Sequence, residues 1–143
     1  MNFRLLPEWA EQDAVMLTWP HKDTDWADNL ARVEPVYIEL AKHITTQQQL
    51  VIVAHNSALK VHITALLNSA NVSLNRVHFV VTPTNDTWAR DHGPLTCAAI
   101  DSTEQLKVYD FTFNGWGNKF ESALDNQINR TLVKELSSTN NQY

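Results

Sequence analysis

The densest group of chemically capable side chains is the run Asn85-Asp86-Thr87-Trp88-Ala89-Arg90-Asp91-His92-Gly93-Pro94. A carboxylate can accept two parallel N–H bonds from a guanidinium group, and an indole face attracts a nearby cation. Asp91 and Trp88, with Asp86 as a helper, could therefore form a pocket for a cationic ligand. The alternative is an internal network in which Arg90 pairs with Asp86 or Asp91 while Trp88 packs in the core.

Two other segments could contribute to a pocket. Gly115 and Gly117 flank Trp116, so a tight loop could present this indole to solvent, although a plain turn with a packing tryptophan has the same pattern. The second segment is Trp19-Pro20-His21 followed by Asp23, Asp25 and Trp26. Its residues could line a pocket, or they could be loop residues with the tryptophans packed for structure.

The histidines and the single cysteine give no sign of a metal centre or a nucleophile. The six histidines, none of which has a known metal-ligand spacing, are His21, His43, His55, His62, His78 and His92. Because Cys97 falls in the middle of an apolar run, we expect a buried packing residue rather than a reactive thiol. The chain also has no phosphate loop and no dinucleotide-binding glycine pattern, so we expect neither a metal nor a cofactor.

Apolar patterning predicts an α/β fold that places the polar segments at strand ends. Continuous or β-branched apolar runs predict strands at 14–18, 50–54, 77–81, 95–100 and 107–113. Helical spacing predicts helices from about 30 to 44, from Asn56 or Ser57 to 70, and from Phe120 to 136. The segments 82–92, 101–104, 114–119 and 137–143 are predicted to be loops. No composition shift marks a boundary, so residues 1–143 form one unit.

Composition restricts the classes of partner. Hydrophobic residues make up 43% of the 143 residues, enough for a core, and the formal net charge is −5. This balance disfavours nucleic acid, whose phosphates require a basic surface. No apolar run approaches the roughly 20 residues needed to cross a bilayer, and there is no signal-peptide pattern. We therefore expect a cytoplasmic protein with no membrane or nucleic-acid partner.

Four ordered motifs resemble the agmatine deiminase family, also called peptidylarginine-deiminase-like. They are Leu6-Pro7-Glu8-Trp9, Thr18-Trp19-Pro20-His21, the run from Asn85 to Pro94, and Phe113-Asn114-Gly115-Trp116-Gly117-Asn118-Lys119-Phe120. The resemblance implies a pentein fold, a five-bladed α/β propeller of ββαβ units, of which this length would make about two blades. It also implies that Asp91 holds a guanidinium group and that Trp88 forms a pocket wall.

The same resemblance implies a reaction that these residues would not complete alone. In the family a cysteine thiolate attacks the guanidinium carbon, ammonia leaves, and water releases the product with the help of a histidine. The catalytic cysteine and histidine are expected beyond Tyr143, and Cys97 does not match the nucleophile. The expected substrate is agmatine, hydrolysed to N-carbamoylputrescine in putrescine biosynthesis, and the chain alone is expected to be inactive.

Two other functions remain open on the sequence. One is a related pentein that acts on arginine or peptidyl-arginine, and the other is a non-catalytic module that binds cations or a partner protein. An incomplete propeller would also expose blade faces lined by the strands at 50–54, 77–81 and 107–113. We therefore expect the chain to associate with itself.

Overall fold

The computed structural model describes residues 2–139, excluding the side chains of 102–104 and 136–139. The strands are β1 (Phe3–Leu5), β2 (Ala14–Thr18), β3 (Gln49–Ala54), β4 (Val77–Val81), β5 (Leu95–Ala99) and β6 (Ser102–Tyr109). The helices are α1 (Leu30–Ile44), α2 (Ser57–Ser69), α3 (Ala89–His92), α4 (Gly115–Asn118) and α5 (Ile128–Thr139). Single 3₁₀ turns cover Ala27–Asn29, Leu74–Arg76 and Asp125–Gln127.

A parallel sheet of order β2-β3-β4 forms the centre of the fold. Parallel neighbours need a crossover connection, and α1 and α2 provide the two crossovers. The side chain of Asn56 accepts a hydrogen bond from the Leu59 amide at 2.9 Å and so caps α2, as the sequence predicted. The predicted α/β class is confirmed, and so are the positions of α1 and α2 and of these three strands.

Both faces of β3 are buried. Leu50, Ile52 and Ala54 face the cluster formed with α1 and α2. Val51 and Val53 face the opposite side, where Ile128 and other apolar residues of α5 pack. A strand covered on both faces has a continuous apolar sequence, which explains the run of apolar residues from Leu50 to Ala54. The expectation that this strand lines an open face is therefore wrong.

The second sheet is antiparallel and has the order β1-β5-β6. The sequence did not predict β1, which has only three residues and pairs Phe3 with Ala99 and Leu5 with Cys97. This sheet carries several of the exposed large apolar side chains, namely Leu5, Leu95, Leu106 and Val108. Cys97 is half-buried rather than fully buried.

Several predicted boundaries were wrong in the second half of the chain. The strand predicted at 107–113 is β6, which ends at Tyr109, and the hairpin turn shrinks to residues 100 and 101. The last helix begins at Ile128 instead of Phe120 and continues to Thr139, beyond the predicted start of the tail. Residues 140–143 of that tail lie outside the described residues. The number of propeller blades and the single-domain organisation stay predictions.

Candidate functional site

The carboxyl ends of β2, β3 and β4 lie at one edge of the parallel sheet, where sites are commonly built in open α/β sheets. The segment after β4 contains the polar run identified in the sequence. This segment is held in place by the side chains of Asp125 and Asn85, each of which accepts backbone N–H groups from the other's segment. The Asp125 carboxylate accepts the Asn85 amide at 2.7 Å and the Asp86 amide at 3.3 Å. The Asn85 side-chain oxygen accepts the Leu124 amide at 2.8 Å.

Asp125 is completely buried, and one of its carboxylate oxygens has no hydrogen-bond partner among the described residues. Burial raises the pKa of Asp125, and the amides of Asn85 and Asp86 partly oppose that rise. The sequence analysis missed this residue because it lies 40 positions from the loop that it holds. No short-range pattern connects the two segments.

Asp91 lies on α3 and is exposed, and its carboxylate has no hydrogen-bond or ion-pair partner among the described residues. Arg90 instead pairs with Glu8 at 3.2 Å, and both side chains are more than 80% exposed. The internal network of Arg90 with Asp86 or Asp91 is therefore wrong as a description of this segment. Trp88 is 43% exposed rather than packed in the core.

Asp86 has a local role in the structure. One carboxylate oxygen accepts the Thr87 amide at 2.7 Å, with the Thr87 hydroxyl at 3.3 Å. The Thr87 hydroxyl also accepts the indole N–H of Trp26 at 3.0 Å. Asp86 thus shapes the loop that leads to Trp88, which leaves its second carboxylate oxygen for another group.

Trp116 lies in α4, a single turn in which four successive residues have positive φ angles. Its own φ and ψ are 55° and 53°, a left-handed conformation that L-residues with a side chain adopt at a cost of about 1–2 kcal/mol. The Asn114 side chain accepts the Gly117 amide at 3.0 Å and helps to hold the turn. Strained backbone of this kind is concentrated at functional sites.

The two candidate tryptophans are in contact. Trp88 and Trp116 meet edge to face, with ring centroids 5.6 Å apart, although they belong to different loops. Trp116 also contacts Phe113 at 4.9 Å and Phe120 at 5.6 Å in the same manner. Its indole is 46% exposed, so a cluster of aromatic rings presents an open surface that includes Trp88, the residue directly before the Asp91-bearing helix α3.

Clefts of about 260 and 270 Å³ occur in the described part of the chain, and neither of these is lined by Trp88, Trp116 or Asp91. The structure brings the two candidate tryptophans into contact and leaves Asp91 exposed.

His92 lies beneath the loop and is 2% exposed. Its Nε2 atom is 3.3 Å from the Thr18 hydroxyl, and its Nδ1 atom has no partner among the described residues. Burial lowers the pKa of His92 from 6.5 to about 4, against a smaller opposite effect of Asp91. The ring is therefore neutral at neutral pH.

Chain comparison places these features in a known class. A profile of the Porphyromonas-type peptidyl-arginine deiminase family matches residues 4–142. A solved structure of C. jejuni agmatine deiminase with substrate bound has a TM-score of 0.79 and 36% identity, over 94% of this chain and 37% of that one. The agmatine deiminase of Stutzerimonas stutzeri is 30% identical over 78% of this chain and 28% of its own length. That of Medicago truncatula is 25% identical over 94% of this chain and 36% of its own length.

The α/β fold is thus the one found in part of the solved agmatine deiminase structure. This chain belongs to the Porphyromonas-type peptidyl-arginine deiminase family, which includes the agmatine deiminases. It spans about a third of the length of the curated relatives that it matches. Within the described residues, no helix has the length and apolar character to cross a membrane.

Proposed function

We propose that this chain forms the guanidinium-holding part of a hydrolase that acts on the guanidinium carbon, with agmatine as the substrate. The observation that carries this proposal is the Asp91 carboxylate, which is exposed and has no partner among the described residues. The contacting indoles of Trp88 and Trp116 are the second support. Together they offer an anion and exposed aromatic surface to a planar cation.

In the reaction that we propose, a thiolate attacks the guanidinium carbon and ammonia leaves. Water then attacks the covalent intermediate, releases N-carbamoylputrescine and regenerates the thiolate. Asp91 holds the guanidinium group by charge and by two hydrogen bonds, while Trp88 and Trp116 bound the site. Asp86 helps to hold the cation with its second carboxylate oxygen.

We propose that the thiolate and the proton-carrying histidine are not supplied by residues 1–143. Cys97 lies in the middle of β5, between Leu5 and Lys107 on the neighbouring strands, and does not follow a strand end. His92 is buried, and its Nε2 atom lies 3.3 Å from the Thr18 hydroxyl. The chain on its own therefore binds the substrate weakly and does not convert it.

Peptidyl-arginine is the second candidate substrate, because the matching family profile bears that name. The guanidinium group is common to both substrates, so Asp91 would serve either one. What separates the two is the group at the other end of the ligand. Agmatine ends in an amine, whereas peptidyl-arginine carries two amide groups.

Ligand titration followed by NMR or calorimetry tests the proposal. One charge-assisted pair and one cation–π contact contribute about 2–4 kcal/mol together, which corresponds to millimolar or weaker binding. Agmatine should bind more tightly than putrescine, which has the amines but no guanidinium group. Comparison with acetyl-arginine amide distinguishes the two candidate substrates.

The Asp91→Asn variant should bind agmatine about tenfold more weakly, because the amide keeps the shape but loses the charge and one acceptor. Asp28→Asn is the matched control, since Asp28 is exposed and its loss changes the net charge equally. Equal affinity in the two variants would show that Asp91 does not hold the guanidinium group.

A further inference from the structure

A third group of polar side chains lies at the same sheet edge, outside the Trp88 and Trp116 cluster. His21 and Asp23 follow β2, and His55 directly follows β3. Each of the three can offer one ligand atom, and these atoms all lie within 4.8 Å of one another. The Nδ1 atom of His21 and the nearer carboxylate oxygen of Asp23 are 3.9 Å apart.

Thr84, which follows β4, holds the other side of both imidazole rings. The Nε2 atom of His21 is 3.1 Å from the Thr84 hydroxyl. The Nδ1 atom of His55 is 3.2 Å from the Thr84 carbonyl oxygen and 3.0 Å from its amide nitrogen. Metal-binding histidines characteristically donate one ring N–H to a protein partner such as a carbonyl group and keep the other nitrogen for the ion. Metal binding by His55 therefore requires the tautomer in which Nδ1 donates to the Thr84 carbonyl oxygen, instead of the one in which it accepts the Thr84 amide.

The rings of His21 and His55 contact each other, with centroids 4.0 Å apart. A divalent ion shared by both rings and balanced by the Asp23 carboxylate is compatible with this arrangement.

We propose that His21, Asp23 and His55 bind a borderline divalent transition-metal ion of the Zn²⁺ class. The ligand atoms are Nδ1 of His21, a carboxylate oxygen of Asp23 and Nε2 of His55. The Nδ1 atom of His21 accepts the Asp23 backbone amide at 3.3 Å, and the ion would replace this long hydrogen bond. Two nitrogens and one oxygen suit Zn²⁺, and the three ligands leave a fourth position for water. Mg²⁺ and Ca²⁺ prefer all-oxygen sites and do not fit this set.

Small side-chain movements complete the geometry. Two ligands about 2.1 Å from a tetrahedral ion are about 3.4 Å apart, so the separations here must close by about 1.4 Å at most. Asp23 is exposed and His55 is half-buried, and both can move. Lys22 donates to Asp23 at 2.8 Å, but that pair is solvent-exposed and is displaced at little cost.

The site joins the ends of β2, β3 and β4, because Thr84 supports both rings. Asp86, which contributes negative charge near His21, is in the loop that leads to Trp88. The ion therefore stabilises the sheet edge on which the candidate substrate loop stands. This inference does not depend on the proposed deiminase function, since it concerns separate residues.

Calorimetric titration of the purified chain with Zn²⁺ and with Co²⁺ tests the site, after removal of any affinity tag that contains histidine. We expect one ion per chain and a change in the visible absorption of Co²⁺ on binding. Asp23→Asn should weaken the Zn²⁺ affinity at least tenfold, whereas Asp25→Asn, an exposed acid in the same loop, should change it less than twofold. His55→Gln should also weaken binding at least tenfold. His43→Gln is its control, because His43 is an exposed residue of α1.

The melting temperature supplies a second, independent measurement of Zn²⁺ binding. Zn²⁺ should raise the melting temperature of the natural chain and of Asp25→Asn, but not that of Asp23→Asn, whose exposed side chain can be changed without loss of the fold. Unchanged Zn²⁺ affinity in both Asp23→Asn and His55→Gln would overturn the proposal and indicate nonspecific surface binding. Absence of stoichiometric binding by the natural chain would overturn it as well.

Discussion

His92 should make the chain less stable in mild acid. Its pKa falls from 6.5 to about 4 because the folded protein buries the ring. The unfolded chain therefore binds a proton between these values, where the folded chain does not. A group of this kind stabilises the fold fully above the unfolded pKa of 6.5, and the contribution is lost as the pH falls toward about 4.

The magnitude follows from these two pKa values. The full difference between 6.5 and about 4 is equivalent to roughly 3 kcal/mol of unfolding free energy. Between about pH 7.5 and about pH 5 the expected loss is about 2 kcal/mol, since the titration is incomplete at the lower pH. A loss of this size is a large part of the stability of a small domain.

Urea unfolding, followed by circular dichroism at both pH values, measures this loss in the natural chain and in His92→Gln. Gln can still bond the Thr18 hydroxyl but cannot take up a proton. The variant should lose about 2 kcal/mol less than the natural chain on acidification, whatever its stability at neutral pH. Asp125 and His21 titrate in both proteins, so their effects cancel in the comparison. An identical pH dependence in the two proteins would refute the reasoning.

Four further predictions concern other parts of the molecule. Asp125→Ala should lower the unfolding free energy by about 1.5–3 kcal/mol because two loop amides lose their acceptor, while Asp28→Ala should have little effect in the same urea assay. Gly115→Ala should destabilise more than Gly117→Ala by at least about 1 kcal/mol, since a Cβ at Gly115 would clash with the Phe120 carbonyl oxygen whereas Gly117 faces open space. The chain should release no ammonia from agmatine, and turnover that disappears in Cys97→Ala would contradict this. Light scattering at micromolar concentration should show self-association that Leu106→Glu reduces, whereas a monomer of the natural chain would count against it.

The sequence correctly predicted those parts of the fold that depend on the pattern of neighbouring residues. The run from Leu50 to Ala54 is apolar at every position because both faces of β3 are buried, and it was predicted correctly. The predicted start of the last helix was wrong. Phe120 has the spacing expected of the helix's apolar residues but is not part of the helix. Its ring packs on Trp116 instead.

The site was predictable as a set of residue types but not as a geometry. The motif around Asp91 and Trp88 was found because its charges and rings are adjacent in sequence. The contact of Trp88 with Trp116, and the hold of Asp125 on Asn85, depend on how distant segments meet. Known metal-ligand spacings apply only to histidines that are close in sequence. His21 and His55 meet because each follows a parallel strand, and that shared position was the available signal.

The enclosure of β3 has a consequence for the way the native chain opens. With a strand on each side and helices on both faces, its amide hydrogens can exchange with solvent only when the whole unit unfolds. The three-residue edge strand β1 can detach at far lower cost. In deuterated water, labelling should therefore spread inward from β1, and the β3 amides should report the global free energy of unfolding.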